Sequence, residues 1–392
     1  MQQLQRKTKY STFCIFVCLM CAITNLSQMP IFVERGITQL LALPTWLLLA
    51  GVCILLDVRI AVKEVVPAIT LGVVFLLYYC CVVVFNSLAL RSALPYPIAL
   101  SMFVLLVGLM AGRHLSADEI KLTAWFYAVS GVVVCVDVYF KYVADTSLSQ
   151  LVYSYASKNS VSQILLTSFL ILLLFGFEKK GFLRKLFAVV AIATLAWTLI
   201  GLKSRASLIM IPTMLVWLLF SKTTSKTLRR VVIVAILAVV AVMMVGDNFQ
   251  VLVEDVLFGG RDTNDINAIS SGRIDQWAEF PELFAQAPIF GHGLKARESL
   301  IITALLEYGL VGGSLILMLA LSPLLWGVIR LHRNHEMYLL YVSLALCYVI
   351  NGIFEQLAPF GPGVKCYYLW FLWGLLAAKP NETSRQKGSS LQ

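Results

Sequence analysis

Charge is scarce in this sequence of 392 residues: Asp, Glu, Lys and Arg make up only 13% of it, whereas hydrophobic residues make up 59%. The mean hydropathy is +0.84, and a soluble domain of this length has no interior large enough to bury that much apolar surface. The scarcity of charge therefore excludes a soluble globular protein. Segments of about ten residues that alternate between polar and apolar are also lacking, which argues against an outer-membrane β-barrel.

Histidine is rare as well, with four residues in the whole chain. The nine cysteines lie in or beside apolar runs, and no histidine stands close enough to them to complete a zinc-binding pattern. We therefore interpret the cysteines as small apolar residues, and we expect neither a metal nor another cofactor. The net charge of +10 does not indicate nucleic-acid binding, because the basic residues stand in short segments between apolar runs.

What the sequence has in abundance is long apolar runs, most of them near the roughly 20 residues that a helix needs to cross a bilayer. They predict an all-α polytopic membrane protein with about twelve transmembrane helices and one long loop that contains short helices. We divide the chain into an N-terminal membrane domain (1–246), the long loop (247–304), C-terminal transmembrane helices (305–378) and a tail (379–392). The predicted spans are residues 11–32, 37–56, 65–85, 93–112, 122–143, 159–177, 183–201, 206–220, 230–246, 305–329, 337–354 and 363–378.

Lysine and arginine determine the predicted orientation. When the spans are counted in order, roughly two thirds of the 31 Lys and Arg residues fall on the side of the N-terminus, and such enrichment is typical of cytoplasmic loops. Both termini are therefore predicted to be cytoplasmic, and the long loop is predicted to face away from the cytoplasm. Arg6, Lys7 and Lys9 precede the first run, but no small-x-small cleavage site follows it, so we expect an uncleaved first span.

The long loop concentrates the polar residues of the chain. After a Ser-Ser-Gly sequence, residues 272–286 predict a helix that begins near Arg273. A helix start would aim backbone N–H groups and the planar Arg273 guanidinium at the same anion, such as a phosphate. Asp275 would lie in the first turn, and Trp277 would share the face of Arg273. The alternative is an ordinary amphipathic helix lying on the bilayer surface.

A second group of polar residues stands at the starts of two predicted spans. Arg205 opens the eighth span next to Lys203, and an arginine at membrane depth predicts an anionic partner, because the charge is costly unless it is paired or reaches water. The alternative is a snorkelling side chain that anchors a helix end. Lys158 and Asn159 open the sixth span on the same outer side. They could donate hydrogen bonds to a sugar or phosphate, or Asn159 or Ser160 could cap the helix.

Residues 288–293, Pro-Ile-Phe-Gly-His-Gly, predict the end of the loop helix and a tight turn. Glycine adopts backbone conformations that are closed to other residues, which suits such a turn. His292 stands between the two glycines, where it could titrate or simply be exposed.

Asp137 and Lys141 form a charged pair in the sequence of the fifth span. Four residues apart on a helix, they would share one face and neutralise each other. Because isolated charges are costly in the membrane, we interpret this pair as structural.

The order of these motifs resembles the O-antigen ligase and polymerase superfamily, membrane enzymes that extend or transfer bacterial polysaccharides from an undecaprenyl diphosphate carrier. The resemblance covers the second half of the chain well and the first half only in hydropathy. The motifs that carry it are Ser-Gly-Arg followed by Trp277, Pro-Ile-Phe-Gly-His-Gly-Leu at 288–294, Leu-Glu-Tyr-Gly-Leu-Val-Gly at 306–312, Lys-Ser-Arg at 203–205, Lys-Asn-Ser at 158–160, and Asn351, Glu355 and Pro359.

The resemblance implies a GT-C-like glycosyltransferase fold in the bacterial inner membrane, with the active site facing the periplasm and with no nucleotide sugar or essential metal. Arg205 and Arg273 would hold the lipid diphosphate. A carboxylate near the acceptor hydroxyl could act as general base; Glu298, where the loop meets the tenth span, is the best-placed candidate, followed by Asp275, Glu307 and Glu355. Glu307 and Glu355 could instead pair with an arginine and fix the loop. A chain-length regulator and a flippase are the expected protein partners. The further candidate substrate-binding residues are Lys203, Lys158, Asn159, Asp275, Trp277, His292, Glu307 and Glu355.

One departure from the superfamily's pattern is informative. Its ligases carry a His-Asn pair nine residues before the Glu of a Glu-x-Gly motif, whereas Glu298 and Ser299 stand at that distance from Glu307. This favours a polymerase that transfers the growing glycan from its lipid diphosphate to a sugar hydroxyl of an incoming lipid-linked unit. A ligase that passes glycan to lipid A core or protein stays open, as does a lipid-linked oligosaccharide flippase, although transporters usually show two related halves and this sequence does not.

Overall fold

The described part of a computed structural model comprises residues 10–57, 62–86, 92–145, 158–178, 181–244, 248–251, 254, 270, 272–293, 297–331, 336–361 and 366–378. Regular structure within these residues is helical throughout. The N-terminal Arg6, Lys7 and Lys9, most of 252–269, Ser271 and the tail 379–392 lie outside the described residues. The helices are α1 Thr12–Leu26, α2 Pro30–Glu34, α3 Thr38–Leu56, α4 Val66–Asn86, α5 Pro95–Gly112, α6 Ala117–Val138, α7 Lys158–Phe175, α8 Phe182–Gly201, α9 Arg205–Phe220, α10 Lys226–Met243, α11 Asn248–Val251, α12 Arg273–Gln286, α13 Leu300–Arg330, α14 Glu336–Phe354 and α15 Tyr367–Ala377.

Every apolar run that predicts a span contains a helix, and the first run contains two, α1 and α2. Within the described residues, seven helical segments are long and apolar enough to cross a membrane, and α1, α4, α9 and α15 contribute further apolar helices. The protein is therefore an all-α polytopic membrane protein. The seven segments are Thr38–Leu56, Pro95–Gly112, Ala117–Val143, Lys158–Phe175, Phe182–Gly201, Leu300–Arg330 and Glu336–Phe354.

The tightest helix contact joins α5 to α15. A Cβ atom added at Gly108 would lie 2.4 Å from the carbonyl oxygen of Phe371, and one added at Gly374 would lie 2.3 Å from that of Leu105. Only residues without a side chain allow two backbones to approach so closely, as is common between membrane helices. This contact places the aromatic residues of α15 in the centre of the buried core.

Both ends of the described chain lie at one face of the helix bundle, which we call the terminal face. The Ser11 hydroxyl, just before α1, donates to Glu119 in the first turn of α6 at 2.6 Å. Ala378, just after α15, packs against Gly112 at the end of α5. Ion pairs at this face join helix ends that are distant in sequence: Arg113 with Asp57 at 2.9 Å, Arg330 with Glu64 at 2.6 Å, and Lys121 with Glu178 and with Glu336.

The opposite face, which we call the loop face, carries α2, α12 and the turn between α8 and α9. Here the structure corrects the expected pairing of Asp137 with Lys141: the Lys141 ammonium lies 2.6 Å from Glu34 of α2 instead. The cause is a π-helical turn over Tyr139–Val143, which changes the spacing of side chains along the helix. Val143 of this turn occupies the space where Gly201, at the end of α8, lacks a side chain.

Candidate active site

Two motifs of the sequence, residues 288–293 and residues 306–311, meet at the loop face. Helix α13 is broken at Gly309, whose φ of 62° and ψ of −163° are not helical. Four backbone hydrogen bonds of 2.8–3.2 Å join the two segments: the N–H groups of residues 292 and 293 donate to carbonyls 306 and 307, and the N–H groups of 310 and 311 donate to carbonyls 288 and 289. The break in α13 thus provides the partners for the turn that follows α12.

Glycine is required on both sides of this contact. Gly291 and Gly309 both have positive φ, 77° and 62°, a region that L side chains rarely adopt. A Cβ at Gly291 would lie 2.5 Å from the Gly309 nitrogen, and one at Gly309 would lie 2.4 Å from the carbonyl carbon of Ile289. The Tyr78 hydroxyl adds a hydrogen bond of 3.0 Å to the Tyr308 carbonyl. The end of α12 is therefore fixed on α13 and α4.

His292 takes part in the same support. Its Nε2 lies 2.9 Å from the Leu283 carbonyl oxygen, and because a carbonyl can only accept, Nε2 carries the proton of this bond. The ring is partly buried and holds the last turns of α12 against the docked segment. The structure thus places His292, a candidate substrate-binding residue, in a bond that supports the helix.

Arg273 is the first residue of α12, after Gly272 with a φ of 75°. Its guanidinium Nε lies 2.9 Å from Glu298 Oε2, an ion pair that lacks the alignment of a hydrogen bond. Its Nη2 donates to the Phe354 carbonyl at 3.1 Å and lies 3.9 Å from Glu355 Oε1. The start of α12 is thereby attached to the end of α14 and to the segment before α13.

Arg205 is the first residue of α9, as the sequence predicts. The chain reaches it through a turn of three residues from the end of α8, in which Lys203 has a φ of 50° and is buried, with 5% of its surface exposed. The preceding contact between Gly201 and Val143 determines where this turn begins. Lys203 therefore lies beneath the loop face rather than on it.

Arg205 and Arg273 line a single cavity of about 290 Å³. The cavity is bounded by α9, the start of α12 and the end of α14, so three elements that are distant in sequence build it. Apart from the two arginines, its walls are largely apolar, and Trp277 contributes an aromatic ring of which 41% is exposed. The apolar lining residues are Ile209, Ile274, Trp277, Ile353 and Phe354.

Asn159 lies on α7 beside this cavity. The helix begins at Lys158, so Asn159 is already inside it, and the expected capping role is wrong: its Nδ2 donates to Glu355 Oε1 at 2.8 Å. Its Oδ1 accepts from the Ser204 hydroxyl at 3.4 Å. Asn159 therefore joins the residue before Arg205 to a carboxylate beside Arg273.

Glu298 lies one residue before the N-cap of α13. Its side chain is 48% exposed while that of Arg273 is 21% exposed, so the pair lies where the cavity reaches the surface. The backbone N–H of Glu298 donates to the side-chain oxygen of Gln276 at 3.1 Å. The neighbouring Arg297 pairs with Glu279 at 3.3 Å, which ties the same segment to α12 a second time.

The remaining candidates are placed apart from the cavity lining. Glu307 is buried in α13, where it accepts a short hydrogen bond from the Ser92 hydroxyl. Asp275 is exposed on α12, two residues after Arg273. Lys158 is the first residue of α7. The structure thus brings together Arg205, Arg273, Glu298, Trp277, Asn159 and Glu355 from the sequence-based set.

Several residues of the site are missed by the sequence analysis. Ile209 follows Arg205 by four residues on α9, and that helical spacing could have revealed it. Ile353 directly precedes the Phe354–Glu355 pair at the end of α14, a position without a distinctive pattern. The Phe354 carbonyl that accepts a hydrogen bond from Arg273 could not be predicted from the sequence, because every residue has a backbone carbonyl.

A family of known proteins matches part of the chain. Residues 187–315 match a family described as O-antigen ligase. The matched segment runs from α8 into α13 and contains Arg205, Arg273 and Glu298, whereas Asn159 and Glu355 lie outside it. No curated protein matches the chain. The match confirms the resemblance to the O-antigen ligase and polymerase superfamily and supports a ligase- or polymerase-type activity on a lipid-linked polysaccharide.

Proposed function

Taking the match to the O-antigen ligase family as the premise, we propose that this protein polymerises oligosaccharide repeat units carried on undecaprenyl diphosphate. The growing glycan would be transferred from its lipid diphosphate to a sugar hydroxyl of an incoming lipid-linked unit. The observation that carries the proposal is the shared cavity, which Arg205 and Arg273 line together with largely apolar residues. A lipid diphosphate matches both features of the cavity, because it combines a compact anion with an apolar chain.

The arginines suit the diphosphate for a chemical reason. A planar guanidinium can donate two parallel hydrogen bonds to phosphate oxygens, and the start of α12 adds backbone N–H groups beside Arg273. When the bond between the sugar and the diphosphate breaks, negative charge grows on the phosphate oxygens. Each arginine would stabilise that charge by about 3 kcal/mol, as prepositioned donors do in other active sites.

The transfer itself is a displacement at the anomeric carbon of the donor glycan. The acceptor hydroxyl oxygen forms a bond to this carbon, the bond from the carbon to the phosphate oxygen breaks, and the lipid diphosphate leaves as an anion. The hydroxyl proton goes to a carboxylate that acts as general base. Lining up the two reactants supplies much of the rate enhancement, since no nucleophile on the protein is needed.

Glu298 is the carboxylate best placed to act as the base. Glu307 is buried against Ser92, and Glu355 accepts a hydrogen bond from Asn159. Glu298 is half exposed and touches the same guanidinium that would bind the diphosphate. Phosphate oxygens that bind Arg273 would compete with Glu298 for it, and the released carboxylate would then be free to accept the proton.

The second candidate within the same family is a ligase, which the description of the matching family favours. Both activities need the diphosphate site, so the cavity does not discriminate between them. The presence of Glu298 and Ser299 nine residues before Glu307 favours the polymerase, because ligases of the superfamily carry a His-Asn pair there.

The proposal is tested with purified protein in lipid nanodiscs and a synthetic repeat unit on undecaprenyl diphosphate. We expect a ladder of products that differ by one repeat unit, and we expect Arg273→Lys to abolish the ladder because lysine keeps the charge but not the planar donor pair. Arg297→Lys, on the neighbouring segment but outside the cavity, is the matched control and should retain the ladder. Transfer of single units to lipid A core without a ladder would instead identify a ligase.

A further inference from the structure

Asn159 occupies a position between the supports of the two arginines. On one side its Nδ2 donates to Glu355 Oε1 at 2.8 Å, and Glu355 follows Phe354, whose carbonyl accepts from Arg273. On the other side its Oδ1 accepts from the Ser204 hydroxyl at 3.4 Å. A side chain of α7 thus connects the end of α14 with the residue before Arg205.

The oxygen that Asn159 binds is also the one nearest to Arg273. Glu355 Oε1 lies 2.8 Å from Asn159 Nδ2 but 3.9 Å from Arg273 Nη2. Loss of that amide donor would remove one of the contacts of the carboxylate and favour a close, charge-assisted pair with the guanidinium. The hydrogen bond from Asn159 therefore holds Glu355 back from Arg273.

We propose that Asn159 is a positioning residue: it restrains Glu355 so that a diphosphate has to compete only with Glu298 for Arg273, and through Ser204 it keeps Arg205 in register with Arg273. This inference rests on the proposed function, because it assumes that the arginines bind a lipid diphosphate. It assigns Asn159 no direct contact with the substrate.

The chemistry of a carboxamide explains why asparagine suits this position. The residue needs a donor toward a carboxylate and an acceptor toward a hydroxyl, and one Asn side chain supplies both at a fixed separation. Aspartate would place a second carboxylate against Glu355, and alanine would remove both bonds. Either change would release Glu355 or displace it.

The test uses an exchange of donor and acceptor between the two residues, with binding of undecaprenyl diphosphate to purified protein as the readout. Asn159→Asp should raise the dissociation constant about tenfold, since two carboxylates then repel each other. The double variant Asn159→Asp with Glu355→Gln has the net charge of the unmodified protein, and its glutamine amide can donate to the new aspartate. We expect the dissociation constant of the double variant to be within about threefold of that of the single variant Glu355→Gln.

A second pair of variants serves if Asn159→Asp fails to fold. Asn159→Ala should also weaken binding, and adding Glu355→Gln to it should strengthen binding again, because a neutral glutamine cannot neutralise Arg273. A purely structural role for Asn159 would lower the unfolding temperature without this recovery of affinity.

Two outcomes separate failure of the inference from failure of the proposed function. If the unmodified protein binds the lipid diphosphate but neither double variant binds more tightly than its Asn159 single variant, Asn159 does not act through Glu355. If the unmodified protein does not bind the lipid diphosphate at all, the proposed function itself is wrong.

Discussion

Arg273 Nε and Glu298 Oε2 lie 2.9 Å apart at the mouth of the cavity that Arg273 shares with Arg205. The guanidinium that would bind a diphosphate is therefore already paired with a carboxylate of the protein. A ligand anion and Glu298 compete for the same donors, and this competition connects binding to the release of the proposed base.

Glu298→Gln should therefore change binding and turnover in opposite directions. Without the competing charge, undecaprenyl diphosphate should bind up to about fivefold more tightly, the range that a partly exposed ion pair provides. Turnover should fall about 10²- to 10⁴-fold, because glutamine cannot accept the proton. Titration of the lipid diphosphate and the ladder assay measure the two effects.

The matched control is Glu279→Gln, which removes an exposed carboxylate that pairs with Arg297 and not with Arg273. It should leave both binding and turnover within about twofold of the unmodified protein. A Glu298→Gln variant that polymerises at the normal rate would remove Glu298 from the mechanism.

Trp277 should contribute to substrate affinity through its exposed ring in the cavity wall. Trp277→Ala should raise KM for the lipid-linked unit about tenfold with a smaller change in kcat, because an apolar contact of this kind is made in the ground state and the transition state alike. Trp277→Phe should have a weaker effect. Trp197→Ala, which alters an exposed tryptophan on α8, is the control, and equal effects of the two alanine variants on KM would contradict the assignment.

Gly309 should be needed for stability, because its backbone conformation and its contact with Ile289 both exclude a side chain. Gly309→Ala should lower the free energy of unfolding by about 1–3 kcal/mol, seen as a lower unfolding temperature in detergent. Gly51→Ala, at a glycine of α3 with open space around it, should cause no such loss. Equal unfolding temperatures for the two variants would show that a side chain at position 309 does not strain the break in α13.

His292 should act through its hydrogen bond to the Leu283 carbonyl. His292→Phe should destabilise the protein by about 1–2 kcal/mol because that carbonyl loses its donor, whereas His292→Gln can keep a donor near the Nε2 position. Unfolding temperatures and KM are the measurements. A rise in KM of similar size for both variants, without a difference in stability, would instead indicate that the ring binds substrate.

Much of the fold could be predicted from the sequence because the bilayer imposes a simple requirement. A helix that crosses it needs a long apolar run, so each run predicts a helix. The start of α9 at Arg205 and of α12 at Arg273 could also be predicted, since charges are scarce and stand at helix ends. The pairing of Lys141, in a π-helical turn, with Glu34 could not, because the two residues are far apart in the sequence and meet only in the folded chain.

The candidate site was predictable in its charged residues and not in its connections. Arg205, Arg273 and Glu298 stand out because charged residues make up only 13% of the chain. The bond from Asn159 to Glu355 joins residues 196 positions apart, and nothing local in the sequence indicates such a partner. The same holds for the docking of residues 288–293 on the broken α13, where the hydrogen bonds are made by backbone groups that all sequences share.

The most direct test of the central claim is the structure of the protein in nanodiscs with undecaprenyl diphosphate bound, determined by electron cryomicroscopy. We expect density for the diphosphate in the cavity, with phosphate oxygens within about 3 Å of the guanidinium groups of both Arg205 and Arg273, and with Glu298 no longer in contact with Arg273. A diphosphate bound elsewhere, or in contact with neither arginine, would contradict the account.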